Sequence, residues 1–348
     1  MKRVGFQGEK REHRVKMTTH EMEKENVSRI RDVEGIVRSA IRRWQERIRS
    51  FLRRLFGAKR SMETRNLRLG HHLVAFLDVL GQNERFKKLR LPATLEEHAE
   101  VGEVVRQTAG FVLDLRKAFD EQFRAFEAGS PNMHRHTKKP LRPNFIGISD
   151  SLITSVPLQN DGGDLVGIVT VYSALSAAAV VMLMALATKH ALRGGIDVGL
   201  AVEMGPQEVY GTALARAYHL ESKEAQYPRI VIGDELWRYF NAAIAQFEKQ
   251  TTPVGRSITA IAKKTMELVA MDADGKRILD YLGQTMVDNA APGGNHRDYI
   301  VRPAYEFVLA EQSRIKATGD TKLIERYDLF RKYFESRLPL WGIAMTKS

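Results

Sequence analysis

Two aspartates, each set in a short hydrophobic segment, carry the strongest chemical signal in this 348-residue chain. Asp78 lies in the run Leu73-Val-Ala-Phe-Leu-Asp-Val-Leu-Gly81, and Asp150 in Phe145-Ile-Gly-Ile-Ser-Asp-Ser-Leu-Ile-Thr-Ser-Val-Pro157. Both runs favour buried strands, where an unpaired charge is very costly. A strand that keeps a carboxylate usually offers it to a metal, a cationic partner or a reaction. Two such strands side by side would form a two-carboxylate metal site, the minimum equipment for magnesium- or manganese-dependent phosphoryl chemistry.

The elements that must position these carboxylates are legible from pattern. Residues 71–80 read as a strand, followed by a polar turn and a long helix over about 95–128. A basic loop leads to strands at 143–149 and 151–157, joined tightly around Asp150. A helix is expected from about 169 to 192. Its apolar run Ala174–Ala187 reads as buried, too short for a membrane span and rich in helix formers. A strand over 193–202, a helix over 208–223 and a strand over 229–232 follow. Residues 266–282 read as a hairpin turning at Asp274-Gly275. A charged amphipathic helix or helix pair fills 303–337. Mixed strands and helices with several antiparallel turns give an α+β chain or a mixed α/β sandwich.

Composition narrows the function. The chain has no cysteine, which excludes disulfides, cysteine-ligated zinc and thiol catalysis and fits a reducing cytoplasm. Its net charge is +12, yet residues 1–60 hold 18 Lys/Arg against 8 Asp/Glu and so account for ten of those charges. The body is almost neutral, which argues against a nucleic-acid-binding core. Within the basic arm, Val37, Ile41, Trp44, Ile48, Phe51 and Leu55 repeat at helical spacing between arginines. That helix would pack on its own protein or a partner subunit, or lie on a membrane surface; alternatively Met62 is the true start. The expected organisation is a basic arm at 1–60, a central domain at 67–285 and a helical C-terminal extension at 286–348.

Several of these segments, in order, resemble the class III nucleotide cyclases. Phe76-Leu-Asp-Val-Leu-Gly81 resembles their first metal motif, and Ser149-Asp150 their second. Leu192-Arg-Gly-Gly-Ile-Asp-Val-Gly199 is similar to their Arg-Ile-Gly-Ile strand, and Gly211-Thr-Ala-Leu-Ala-Arg-Ala-Tyr-His-Leu-Glu221 to their late helix. The text from Val209 to Ile232, with Asp272-Ala-Asp-Gly and Leu279-Asp-Tyr-Leu282, looks like the Pycsar pyrimidine cyclases of bacterial antiphage defence.

The resemblance implies a cyclase-like α+β fold and a homodimer whose active sites form between two cyclase domains. It implies two divalent ions, Mn²⁺ or Mg²⁺, on Asp78, Asp150 and the Val79 carbonyl. The turn Leu80-Gly81-Gln82-Asn83 would cradle phosphates. UTP or CTP would be the substrate, with cyclic UMP favoured over cyclic CMP, and the messenger would act on a separate effector protein. No lysine stands in Asn144-Phe-Ile-Gly-Ile-Ser149, where adenylate cyclases place one to read the base. Phe145 and Tyr210 would narrow the pocket for a pyrimidine. The helix positions of the family's Asn and Arg hold Ala215 and His219, so Arg216 is expected to supply the transition-state charge, with Arg229 as the alternative. Three other readings stay open: a purine cyclase, a catalytically inactive nucleotide-binding module, and a nucleic-acid binder using the arm.

Overall fold

The computed structural model describes residues 69–82, 86–87, 89–128, 142–158, 167–205, 207–250, 252–290 and 294–344. A unit boundary falls between Asn66 and Leu67, and the second unit runs to Ser348. The helix expected near 33–56, the basic loop at 129–139 and Asn83 of the phosphate-cradle turn lie outside the described residues.

Strand β1 (Leu69–Val79) is central, paired antiparallel with β3 (Ser151–Pro157) on one side and β4 (Leu192–Gly205) on the other. A strand buried on both faces reads as a continuous apolar run, which is why Leu73–Leu77 shows no alternation. Its side chains nevertheless divide by the two-residue pleat. Leu73, Ala75, Leu77 and Val79 join the large core, while Val74 and Phe76 join a smaller one on the opposite face. Strand β2 (Asn144–Ile148) pairs with β3 as a hairpin. β5 (Glu208–Gly211) pairs with β4, and β6 (Ile230–Ile232) runs parallel to it. A short hairpin, β7 (Val269–Met271) with β8 (Arg277–Leu279), completes the sheet in the order β2-β3-β1-β4-β6-β8-β7. Among the described residues all pairings but β4–β6 are antiparallel, so the fold is α+β with a mainly antiparallel sheet.

One face is covered by α1 (Leu95–Ala128) and α2 (Gly167–Ala187). On α1 the buried residues Thr108, Val112, Leu115, Phe119 and Phe123 follow at three- and four-residue steps. α2 is apolar all round. At 21 residues it is longer than the expected apolar run and would be long enough to cross a membrane, but 89% of an 18-residue stretch of it is buried within the protein. It ends at Ala187, earlier than expected, and Leu192 already belongs to β4.

The other face is covered by α3 (Thr212–His219), continued by a π-helical turn at Leu220–Glu224. Here the expected helix at 208 is a strand. Gly211, with φ +153°, ends β5 and the helix begins only after it. α3 lies directly on β4 because Gly195 has no side chain. A Cβ there would sit 2.4 Å from the Ala217 carbonyl oxygen.

Two helices that pattern reading passed over, α4 (Asp234–Phe247) and α5 (Pro253–Met266), pack on each other beyond β6. After α6 (Gln284–Asn289) and a π-turn at Arg297–Val301 come the expected C-terminal pair, α7 (Arg302–Lys316) and α8 (Thr321–Arg337). This segment does not stand apart as an extension. Val301, Ala304, Val308, Phe330 and Phe334 are fully buried in the same core as Leu73 and Leu77.

Candidate active site

Asp78 is the penultimate residue of β1 and points to the α3 side of the sheet, in phase with Val74 and Phe76. Its cross-strand neighbours are Ser151 on β3 and Arg193 on β4. The Ser151 hydroxyl donates to Asp78 Oδ1 at 3.2 Å. Arg193 Nη2 lies 3.7 Å from Asp78 Oδ2, and its Nε lies 2.6 Å from Glu221 Oε1.

Asp150 sits in the two-residue turn between β2 and β3, where Ser149 takes φ +46° and the strands close directly on Ile148 and Ser151. The carboxylate is buried, and its Oδ2 has no hydrogen-bond partner. The fold therefore brings the two sequence-predicted aspartates together. Burial pushes the Asp78 carboxyl above its ordinary value, and the Asp150 charge pushes it further, against the opposing pull of Arg193 and the Ser151 hydroxyl. Burial likewise raises Glu221, with Arg193 opposing and Asp78 adding to the rise. Asp78 and Glu221 thus share the Arg193 guanidinium, and the Asp150 charge bears on both carboxylates.

The donor set suits a hard divalent cation. Both aspartates offer oxygen, and the orphaned Asp150 Oδ2 is a buried acceptor that needs a positive partner. Among the described residues no three His, Asp or Glu side chains converge into a complete metal cage. Ions of the magnesium type are commonly held by one or two carboxylates with substrate phosphates filling the remaining positions.

The turn after β1 is only partly as expected. The Leu80 N–H donates to the Ala191 carbonyl at 2.9 Å, so it is spent on the sheet and does not face a phosphate. Gly81 has φ +87° and is exposed. Gln82 is buried, and its Oε1 lacks a partner. Val79 ends β1 with its side chain in the core.

Arg216 is not beside the aspartates. It lines a different cavity, of about 600 Å³, with Asp197, Ala215, His219, Glu235, Arg238, Lys276 and Arg277. Its guanidinium donates to the Val198 carbonyl at 3.3 Å and lies 3.8 Å from Glu235. His219 lies 3.6 Å from Glu224. The alternative cation, Arg229, is buried and bound up in structure. It pairs with Asp272 and Asp274 at 2.6 Å each, donates to the Glu224 carbonyl and stacks over Tyr227. Phe145 and Tyr210 do not frame a pocket together. The Phe145 ring packs edge-on to Phe119 of α1, whereas Tyr210 is 71% exposed on β5.

Three residues near these cavities were missed by pattern: Arg193, Glu221 and Asp197. The last gave the same signal as Asp78, a carboxylate inside an apolar strand. Its role is different, since Asp197 Oδ1 accepts the Leu236 N–H at 2.8 Å and so caps α4 from outside. Burial raises its carboxyl above the ordinary value, against the hydrogen bonds from the Leu236 and Val198 N–H groups.

No family model matches the sequence, and no curated protein matches it. Solved structures that it is similar to include a bacterial light-regulated adenylyl cyclase, at 15% identity over 56% of this chain and 57% of that one, with a TM-score of 0.34. Another is a class III adenylyl cyclase-like ATP-binding protein from Pseudomonas aeruginosa, at 15% identity over 57% and 41% of the two chains, with a TM-score of 0.31. The match spans little more than half of the first of these chains and less of the second.

Proposed function

We propose that this chain is a nucleotide cyclase that converts UTP to 3′,5′-cyclic UMP and pyrophosphate, with CTP as the alternative substrate. The observation that carries the reading is the meeting of Asp78 and Asp150 at the end of β1 and the tip of the β2–β3 hairpin, with one Asp150 oxygen unpartnered.

In this reading the ribose 3′-oxygen attacks the α-phosphorus, the bond to pyrophosphate breaks, and the 3′-hydroxyl proton passes to solvent water. Asp78 and Asp150 would hold Mn²⁺ or Mg²⁺, which would acidify the hydroxyl and neutralise the triphosphate. Ser151 and Arg193 fix the Asp78 carboxylate. Arg216 supplies charge to the phosphate as negative charge develops. Because Arg216 lies in a separate cavity of the same chain, the reading needs a second copy to bring the two halves together. The exposed Leu200, Met204, Tyr210 and Tyr218 on β4, β5 and α3 give a homodimer an apolar surface. The product would be a cytoplasmic messenger for a separate effector protein in antiphage defence.

The test is incubation of the purified chain with ATP, GTP, CTP and UTP, each with Mn²⁺, and identification of products by mass spectrometry. A cyclic pyrimidine product that falls at least roughly 10²-fold in Asp78→Ala and Asp150→Ala supports the proposal. A purine product overturns the substrate, and persistence of product in both variants overturns the site. A second reading, a nucleotide-binding module without turnover, is favoured by the replacement of the family's Asn and Arg positions with Ala215 and the Glu224-bound His219. Nucleotide binding by calorimetry without product would select it.

A further inference from the structure

A second cavity lies on the opposite side of the sheet from Asp78, within the helical layer. It has a volume of about 300 Å³ and is walled by α1, α2, α6, the π-turn before α7 and Trp341. Its lining is mostly apolar: Phe126, Val180, Leu183, Met184, Met286 and Ile300 are typical. The walls are held in place. The Trp341 indole donates to the Leu282 carbonyl at 2.9 Å, and Met286 and Val301 are core residues.

Three polar side chains, Gln122, Asn289 and His296, interrupt this lining, and two of them carry unmatched atoms. Asn289 accepts the Tyr172 hydroxyl on Oδ1 at 2.9 Å, which leaves its amide N–H₂ as the free edge; that Nδ2 is buried without a partner. His296 Nε2 is likewise buried without a partner. Buried polar atoms in native proteins are nearly always matched, so two unmatched ones on one cavity are available to hydrogen-bond an occupant. The volume lies at the lower end for small-molecule sites, and the mix of apolar wall with a few polar groups is their usual make-up. A helix, about 10 Å across with its side chains, is too wide for it.

We propose that this cavity binds a small, flat, largely apolar molecule bearing a carboxamide-type group. The ligand's carbonyl would accept from Asn289 Nδ2, and its N–H would donate to His296 Nε2. Met184, 37% exposed, stands where the cavity meets solvent and would form its mouth. The site is independent of the cyclase reading, because none of its residues belongs to the Asp78–Asp150 or Arg216 groups.

The experiment is calorimetric titration of the full chain with indole-3-carboxamide, using 3-methylindole as the probe that lacks the amide. Three variants accompany it. Met184→Trp blocks the mouth, Asn289→Asp keeps the acceptor for Tyr172 but removes the donor, and His296→Phe removes the second polar atom. The expected result is saturable binding of the carboxamide, with affinity lower by roughly tenfold in Asn289→Asp and in His296→Phe and abolished in Met184→Trp. The wild type should prefer the carboxamide over 3-methylindole. Circular dichroism confirms that each variant is folded. Absence of carboxamide binding to the wild type, or binding unchanged by Met184→Trp in a folded variant, overturns the site. Equal binding of the two probes overturns the role of the polar pair.

Discussion

Asp78 and Asp197 are the same residue type in similar apolar strands, yet their surroundings give them different work. Asp78 meets Asp150 and a single shared guanidinium, while Asp197 is spent on two backbone N–H groups. Because the folded state raises the Asp197 carboxyl, it binds the proton more tightly than the unfolded chain does. Its contribution is therefore most favourable below the unfolded value and is lost as pH rises through the folded one. Asp197→Asn, whose amide oxygen can still accept the Leu236 N–H, should raise the melting temperature at pH 7. That advantage should shrink as the pH is lowered through the carboxylate range, and a constant advantage would refute the account. Asp197→Ala, which strands the Leu236 N–H, should cost about 1–2 kcal/mol by urea unfolding.

The two candidate arginines separate at the same scale. Arg229 is buried between two aspartates, and Arg229→Ala leaves both carboxylates uncompensated. It should destabilise the protein by about 3–5 kcal/mol. Arg216 is substantially exposed, with its Glu235 partner at 3.8 Å. Arg216→Ala should change stability by no more than about 0.5 kcal/mol. If the proposed function holds, its cyclic product should fall by roughly 10²-fold. Denaturant melts beside product assays on the two variants distinguish a structural from a catalytic cation.

Among the elements, the contact of α3 with β4 governs the geometry of both halves of the site. α3 carries Arg216 and its π-helical extension carries Glu221, so its height above the strand sets where both side chains stand. The close approach rests on Gly195, and the obstructing atom for any side chain is a backbone carbonyl that cannot rotate away. Gly195→Ala should therefore destabilise by about 1–3 kcal/mol through lifting of the helix. Arg193–Glu221 pairing should loosen with it, which chemical-shift changes at the Arg193 side chain would report. A variant with unchanged stability would mean that the helix is not held by this contact.

Across the molecule, the C-terminal helices complete the core. Phe330 and Phe334 are fully buried and share a cluster with residues of β1 and α2. A chain ending at residue 285 exposes that surface and loses its tertiary cover. It should show no cooperative thermal transition, in contrast to the full chain. A truncated protein that melts cooperatively would restore the expected division at 286.

The sequence by itself determined the local facts. A run such as Leu73–Leu77, apolar at every position and short, with Val and Phe among its residues, fits a central strand. The tight Ser149-Asp150 turn between two apolar runs implies a hairpin, and the apolar run Ala174–Ala187 implies a buried helix. Both aspartates were legible because a charge in such a run conflicts with its surroundings. Only the tertiary structure decided which conflicts were resolved internally. Asp197 is capped by α4, Arg229 is neutralised by Asp272 and Asp274, and Phe145 is absorbed by Phe119, all through partners 26 to 45 residues away. Short-range patterning records how a residue fits its own element. The partner that satisfies it comes from chain closure, and that is set by the packing of the whole core.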